Sequence, residues 1–186
     1  MPLENTLASS LLLAMPGMDD PNFSRTAVLV CQHDGDGAMG VVLNRRTDVL
    51  LGELFEQLGI EGAPRAMKGR QVLWGGPVQV DRGFVLHDDP RPWPSTLRFG
   101  AFGLTSSREI LHAMARGDGP ERYLVMVGHA GWGGEQLEGE LAQNAWLTVP
   151  APQAMVFDTD SDVLWQVAAG QIGVDMATLA DYSGHA

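Results

Sequence analysis

Residues 26–43 read Thr-Ala-Val-Leu-Val-Cys-Gln-His-Asp-Gly-Asp-Gly-Ala-Met-Gly-Val-Val-Leu, and this stretch decides the fold. An apolar, partly β-branched run fills 26–33, the turn Asp34-Gly35-Asp36-Gly37 follows, and a second apolar run fills 38–43. Glycine and aspartate accept the positive-φ positions of tight turns, so the spacing predicts an antiparallel hairpin. Strand alternation puts Ala27, Leu29, Cys31 and His33 on one face, and Val28 and Val30 on the other. Both faces are apolar, so the strand is expected to be covered on both sides.

Working outward, residues 11–14 predict a short strand that ends at Met15-Pro16-Gly17. Leu50, Leu51, Leu54, Phe55 and Leu58 recur at helical spacing, with Gly59 as a stop. Residues 72–74 and 83–87 predict a strand pair around Gly75-Gly76-Pro77, and 88–95 a rigid proline-rich loop. Ser106 and Glu109 have capping-box spacing for a helix with Ile110, Leu111 and Met114 inward, ending at Gly117. Residues 123–127 predict a strand that enters a glycine-rich loop over 128–134, followed by a helix over 135–142. Further short strands are expected at 146–149 and 155–157, and a last helix near Ser161 with Leu164, Trp165 and Ala168 inward. The pattern is α+β with a mixed or antiparallel sheet, one domain over residues 1–186.

Composition sets the remaining bounds. Of 186 residues, 45% are hydrophobic and 19% charged, enough apolar material for a real core. No apolar run approaches the ~18–20 residues of a membrane span. No Lys or Arg precedes Arg25, which argues against a secretory signal, and Cys31 is the only thiol. A cytoplasmic location is expected. The net charge is −11, and all 12 basic residues lie at or before Arg122. The stretch after Arg122 carries −8, so it offers no basic face to phosphates, and weak or no nucleic-acid binding is expected.

Residues 128–134 are the most tempting chemical feature. Strand, glycine turn and helix start together can cradle phosphate on backbone N–H groups. Here the spacing fits neither dinucleotide nor P-loop patterns, no lysine is present, and Glu135, Glu138 and Glu140 would repel an anion. A structural turn with an exposed rim is expected. Gly128-His129-Ala130 also lacks the serine of a nucleophile elbow. Asp34-Gly35-Asp36-Gly37 resembles part of a calcium loop, but the position that needs glutamate holds Arg45. His87-Asp88-Asp89 falls short of a ligand set, so neither metal nor cofactor is expected. Asp81 and Arg82 predict a turn with a local ion pair. Trp93 and Trp132 fall in expected loops and Trp165 in the core. The candidate binding surface is therefore Trp93, His87, Asp81, Arg82, His129 and Trp132. Cys31 is expected to be an inert core thiol, against the alternative of a reactive pair with His33.

The ordered blocks carry a resemblance. They are Leu-Ala-Met-Pro-Gly-Met-Asp-Asp-Pro-Asn-Phe (13–23), Val-Cys-Gln-His-Asp (30–34), Gly-Ala-Met-Gly-Val-Val-Leu-Asn (37–44) and Gly-Gly-Pro-Val-Gln-Val-Asp-Arg-Gly-Phe-Val-Leu-His (75–87). Leu-Thr-Ser-Ser-Arg-Glu (104–109), Gly-His-Ala-Gly-Trp-Gly-Gly-Glu-Gln-Leu-Glu (128–138), Asn-Ala-Trp-Leu (144–147) and Gly-His-Ala (184–186) complete them. In this order they resemble the bacterial AlgH/YqgE family over nearly the whole chain. Glycine-histidine at 128–129 replaces the family's glycine-tyrosine, and Gly134-Glu135 its proline-glycine. The resemblance implies a small closed β-barrel with a bifurcated sheet flanked by helices, in a bacterial cytosolic protein. One branch is named for regulation of alginate production, and the family supplies no catalytic residues. The functional expectation is a non-enzymatic protein that acts through binding a protein partner, with a regulatory role. Two alternatives stand beside it: an enzyme or redox protein using Cys31, His33, His87 or Asp81, and a regulator that touches nucleic acid directly.

Overall fold

A computed structural model describes residues 6–183 of the chain; the closing Gly184-His185-Ala186 block lies outside the described residues. The strands are β1 (Leu11–Ala14), β2 (Ala27–Asp34), β3 (Gly37–Val42), β4 (Arg46–Leu50), β5 (Gln71–Trp74), β6 (Val78–His87), β7 (Thr96–Phe99), β8 (Phe102–Thr105), β9 (Tyr123–Gly133) and β10 (Trp146–Val149). The helices are α1 (Leu51–Gln57), α2 (Arg65–Lys68), α3 (Arg108–Arg116), α4 (Gln136–Ala142), α5 (Gln153–Asp158), α6 (Leu164–Gly170) and α7 (Met176–Ser183). The fold is α+β: one large curled sheet, antiparallel except for one pair, flanked by helices.

Sheet order is β10-β1-β2-β3-β9-β6-β8-β7, and β9 is the hinge of the arrangement. Its residues 123–129 pair with β6 on one side. On the other side its early part takes β5 in parallel, Leu73 opposite Met126 and Trp74 opposite Val127. Its later part, Ala130 to Gly133, takes β3. The sheet forks there, as the resemblance implies. It does not close. Among the described residues β10 pairs only with β1 and β7 only with β8, so the expected closed barrel is a half-barrel. Side chains of α5 and α6 occupy the concave side: Met155, Val156, Leu164 and Trp165 pack with Leu11, Leu29, Leu86 and Phe102. The Trp165 indole N–H donates to the Ala14 carbonyl at 2.9 Å.

Alternation along the strands sorts the apolar residues into an inner core and two outer ones. Leu11 and Leu13 point inward, whereas Leu12 and Ala14 join Val28, Val30, Trp132 and Trp146 under Leu137 of α4. Val72, Val85, Val125 and Tyr123 lie under α1 and α3. Residues 26–31 are covered on both faces, as their composition predicts, while Gln32 is exposed. Residues 155–157 belong to a helix, not a strand. A three-residue apolar run has no period of its own, and it lies within α5, which starts directly after the extended Pro152.

Cys31 is 2% exposed, and burial pushes its thiol far above the ordinary cysteine range. A bulge between Val30 and Gln32 breaks the alternation at this residue. His33 therefore turns to the opposite face from Cys31. Its Nδ1 accepts from the Leu7 N–H at 3.0 Å, and its Nε2–H donates to Glu138 of α4 at 2.8 Å. The Cys–His alternative loses its geometry. Labelling of Cys31 by a thiol reagent should run at least ~100-fold slower in native buffer than in denaturant. Equal rates would contradict its burial.

Glu135 sits in the left-handed region at φ +64, where a Cβ is strained. This is the position where the family resemblance expects glycine. Glu135→Gly is expected to raise stability by ~0.5–1 kcal/mol, roughly 1–3 °C in Tm. A thermal melt showing a loss would sink the strain reading.

Candidate functional site in a cleft beside strand β6

The glycine motifs mark a crossing of backbones. β5 runs beside β9 up to Trp74, and the chain then passes over β9 to descend as β6 on its other side. The crossing is tight. A Cβ on Gly76 would lie 2.1 Å from the His129 carbonyl carbon, and one on Gly75 or Gly128 would lie 2.3 Å from the other segment's carbonyl oxygen. Gly76 and Gly128 also have φ of +149 and +79. The expected loop over 128–134 is largely strand: β9 runs to Gly133, with Ala130 to Gly133 laddered to β3. The expected pairing of 72–74 with 83–87 is likewise replaced, because β9 lies between them.

Below the crossing β6 bulges. Val78 opposes His129 and Gly83 opposes Val127, so Gln79, Val80, Asp81 and Arg82 stand against Gly128 alone. Bulges of this kind re-aim side chains at sheet rims. Gln79 reaches φ +50, and Ser95, across the cleft, φ +56. Two strained backbones therefore line one depression, the kind of place where strain accompanies function.

That depression is a cleft of about 510 Å³. Gln79, Arg82, Ser95, Thr96, Ser106 and His129 supply its polar lining, and Phe84, Leu97, Leu104 and Met39 its apolar wall. The Arg82 guanidinium lies 5.4 Å from the Phe84 ring centre, and the His129 ring meets Phe84 edge-on at 6.0 Å. Arg82 donates to Ser106 Oγ at 3.3 Å. Among the described residues it makes no ion pair, including the one expected with Asp81. His129 Nδ1 is buried with no hydrogen-bond partner among the described residues. Burial first, and the Arg82 charge second, lower the pKa of His129.

Of the expected surface residues, the structure brings Arg82 and His129 into this cleft and Asp81 onto the neighbouring exposed bulge. The other three go elsewhere. Trp132 is 7% exposed in an outer core, its indole N–H bound to Glu140 at 3.0 Å. It lies on β9, and strand alternation turns it inward, so the expectation of a surface tryptophan fails. Trp93 packs against the cluster under α3, with the Arg91 guanidinium 4.8 Å from its ring. His87 is fully buried behind the cleft wall. Gln79, Ser95 and Thr96 carry no signal in the sequence, and Ser106 reads only as a helix cap, because nothing local marks the four as neighbours.

His87 belongs to a hydrogen-bond chain whose direction is fixed. Asp89 N–H donates to Nδ1 at 3.1 Å, so Nε2 carries the proton and donates to Thr105 Oγ1 at 2.8 Å. Thr105 then donates to Thr96 at 2.6 Å, and Thr96 to the Trp93 carbonyl at 2.7 Å. Burial, with Arg98 nearby, lowers the His87 pKa to about 4. Between pH 6.5 and 4 the unfolded chain holds a proton that the native state refuses, so stability falls as pH falls. The loss from this residue is about 3 kcal/mol across the window. Urea unfolding at pH 7 and pH 4 should show a shallower pH slope in His87→Gln than in the parent; identical slopes would contradict the assignment.

Among the described residues no group of three or more His, Cys, Asp or Glu side chains is placed to hold a metal ion. No helix among them is long and apolar enough to cross a membrane.

A forked, curled sheet with a glycine-lined crossover and a polar cleft beside it defines a distinctive class of α+β protein. The chain belongs to the AlgH-like family, whose model matches residues 11–177. A UPF0301 protein of Xanthomonas campestris pv. campestris is 52% identical over 185 residues, 99% of this chain and 98% of its own. One from Xanthomonas oryzae pv. oryzae is 51% identical over the same shares. The solution structure of the AlgH protein from Pseudomonas aeruginosa matches with a TM-score of 0.81 and 41% identity, covering 96% of this chain and 95% of that one. A crystal structure of a protein from Corynebacterium diphtheriae shares the fold at a TM-score of 0.75 and 18% identity, covering 97% and 94%.

Proposed function

We propose that this chain is a non-enzymatic cytosolic protein that works by binding a protein partner, in a regulatory role, through the β6 bulge and its cleft. The bulge is the observation that carries the reading. Val78 and Val80 on it are 40% and 53% exposed, beside the uncompensated charge of Arg82. Apolar side chains held out of a sheet next to an arginine suit a protein–protein contact. The alternative catalytic set gains no such support. Cys31 faces the inner core, His33 binds α4, His87 closes a hydroxyl chain and Asp81 stands on the bulge. The nucleic-acid reading has only scattered arginines against a −11 chain.

The test is capture from native lysate on the immobilised full chain, its Val80→Asp variant and a Val167→Asp control on α6. A stoichiometric protein retained by parent and control, and lost by Val80→Asp, is the expected result. Retention by Val80→Asp, or sequence-selective nanomolar binding to a promoter duplex, would overturn the reading.

A further inference from the structure

Two features of the cleft remain unused by a purely apolar contact. One is the imidazole of His129, which lines the cleft and meets the Phe84 ring edge-on at 6.0 Å. The other is Arg82, exposed on the bulge, stacked on Phe84, and without a carboxylate among the described residues. Both side chains contact the same phenylalanine ring, so they flank one opening. The wall beyond them is Met39, Leu97 and Leu104.

We propose that this cleft binds a carboxylate attached to an apolar body. Arg82 takes the carboxylate through its planar N–H fork, the His129 ring flanks it, and Phe84, Leu97 and Leu104 hold the hydrocarbon. The inference rests on the reading of the β6 bulge as the working face and names the chemistry recognised there. One guanidinium matches one negative charge in a planar, two-oxygen group. A phosphate dianion fits less well, because Asp81 stands on the same bulge and the chain carries −11. The volume of about 510 Å³ is that of a small-molecule site, and its lining mixes an apolar wall with a few converging polar groups. The carboxylate has two sources, a free small organic acid or the C-terminus of a partner chain.

NMR titration of the full chain with sodium benzoate tests this, following the Arg82 side-chain N–H and the His129 ring. Saturable shifts at both residues are expected. Benzamide, the same shape without the charge, should bind at least about tenfold more weakly, and inorganic phosphate should not compete. Arg82→Gln should weaken benzoate about tenfold or more with the Tm unchanged, and His129→Gln should weaken it less. A leucine-ended tripeptide and its C-terminal amide separate the sources. An acid form that binds at least tenfold tighter than benzoate points to a chain terminus, and one no tighter than benzoate to a free acid. Equal binding of benzamide and benzoate, tighter binding of phosphate, or no saturable shift with benzoate would overturn the proposal. Val80→Asp should keep the benzoate response, so loss of partner capture and loss of carboxylate binding are separately readable.

Discussion

Gly76→Ala is expected to leave the chain largely unfolded at 37 °C. Its Cβ would overlap the His129 backbone at 2.1 Å, and backbone atoms in a crossing of two strands have no side-chain freedom with which to move away. The φ of +149 adds strain for any residue with a Cβ. The cost should exceed about 4 kcal/mol, a large part of a stability that is typically 5–15 kcal/mol. Gly17→Ala is the control, since nothing lies within 4 Å of a Cβ there, and it should change stability by no more than about 0.5 kcal/mol. Circular dichroism melts of the two variants compare them. A folded Gly76→Ala with a near-parental Tm would mean that the glycines do not hold the crossing together.

Glu140→Ala should cost about 2–4 kcal/mol. One carboxylate oxygen of Glu140 accepts both the Trp132 and Trp146 indole N–H groups, at 3.0 and 2.8 Å. The other accepts from Gln136 Nε2 at 3.0 Å. Removing it leaves two indole donors without partners inside a cluster that also holds Phe23, whose ring lies 6.4 Å from Trp132 and 5.8 Å from Trp146. Glu140→Gln keeps a carbonyl acceptor and should lose less. A Tm drop of roughly 4–12 °C in the alanine variant, with a red shift of tryptophan emission, is the expected readout. A change under about 0.5 kcal/mol would show that the indoles need no acceptor.

These two predictions mark where sequence reading stopped. The 26–43 hairpin was legible because its apolar period and its turn residues lie next to each other. So were the helix over 51–57 and the helix that ends at Gly117, where periodicity and a stop signal agree. The pair β7 and β8 was passed over, although Thr-Leu-Arg-Phe and Phe-Gly-Leu-Thr flank a Gly100-Ala101 turn. Glycine in 128–134 read as a loop because its reason lies about fifty residues away, at Gly75 and Gly76. Glycines that allow two backbones to cross look, in one dimension, like glycines that make a turn. The acids of this segment read as charges that repel an anion, while Glu140 in fact holds two tryptophans. Cys31 and His33 were set on one face by strict alternation, and a single bulged residue separated them.

The candidate site was half legible. Arg82 and His129 stood out as polar residues among glycines, and the fold joins them through Phe84. Ser95, Thr96 and Ser106 arrive from β7, β8 and the loops that flank them. His87, read beside Asp88 and Asp89, and Trp132, read in an expected loop, are buried instead. Residue type marks polar groups but carries no information about depth.

That the β6 bulge is the face through which the protein works is tested most directly by hydrogen exchange on the complex with its captured partner. Slowed exchange confined to residues 78–84, 95–97 and 104–106 and the neighbourhood of His129 is the predicted result. Protection centred on the exposed Val163, Val167 and Ile172 region, with the bulge unchanged, would contradict it.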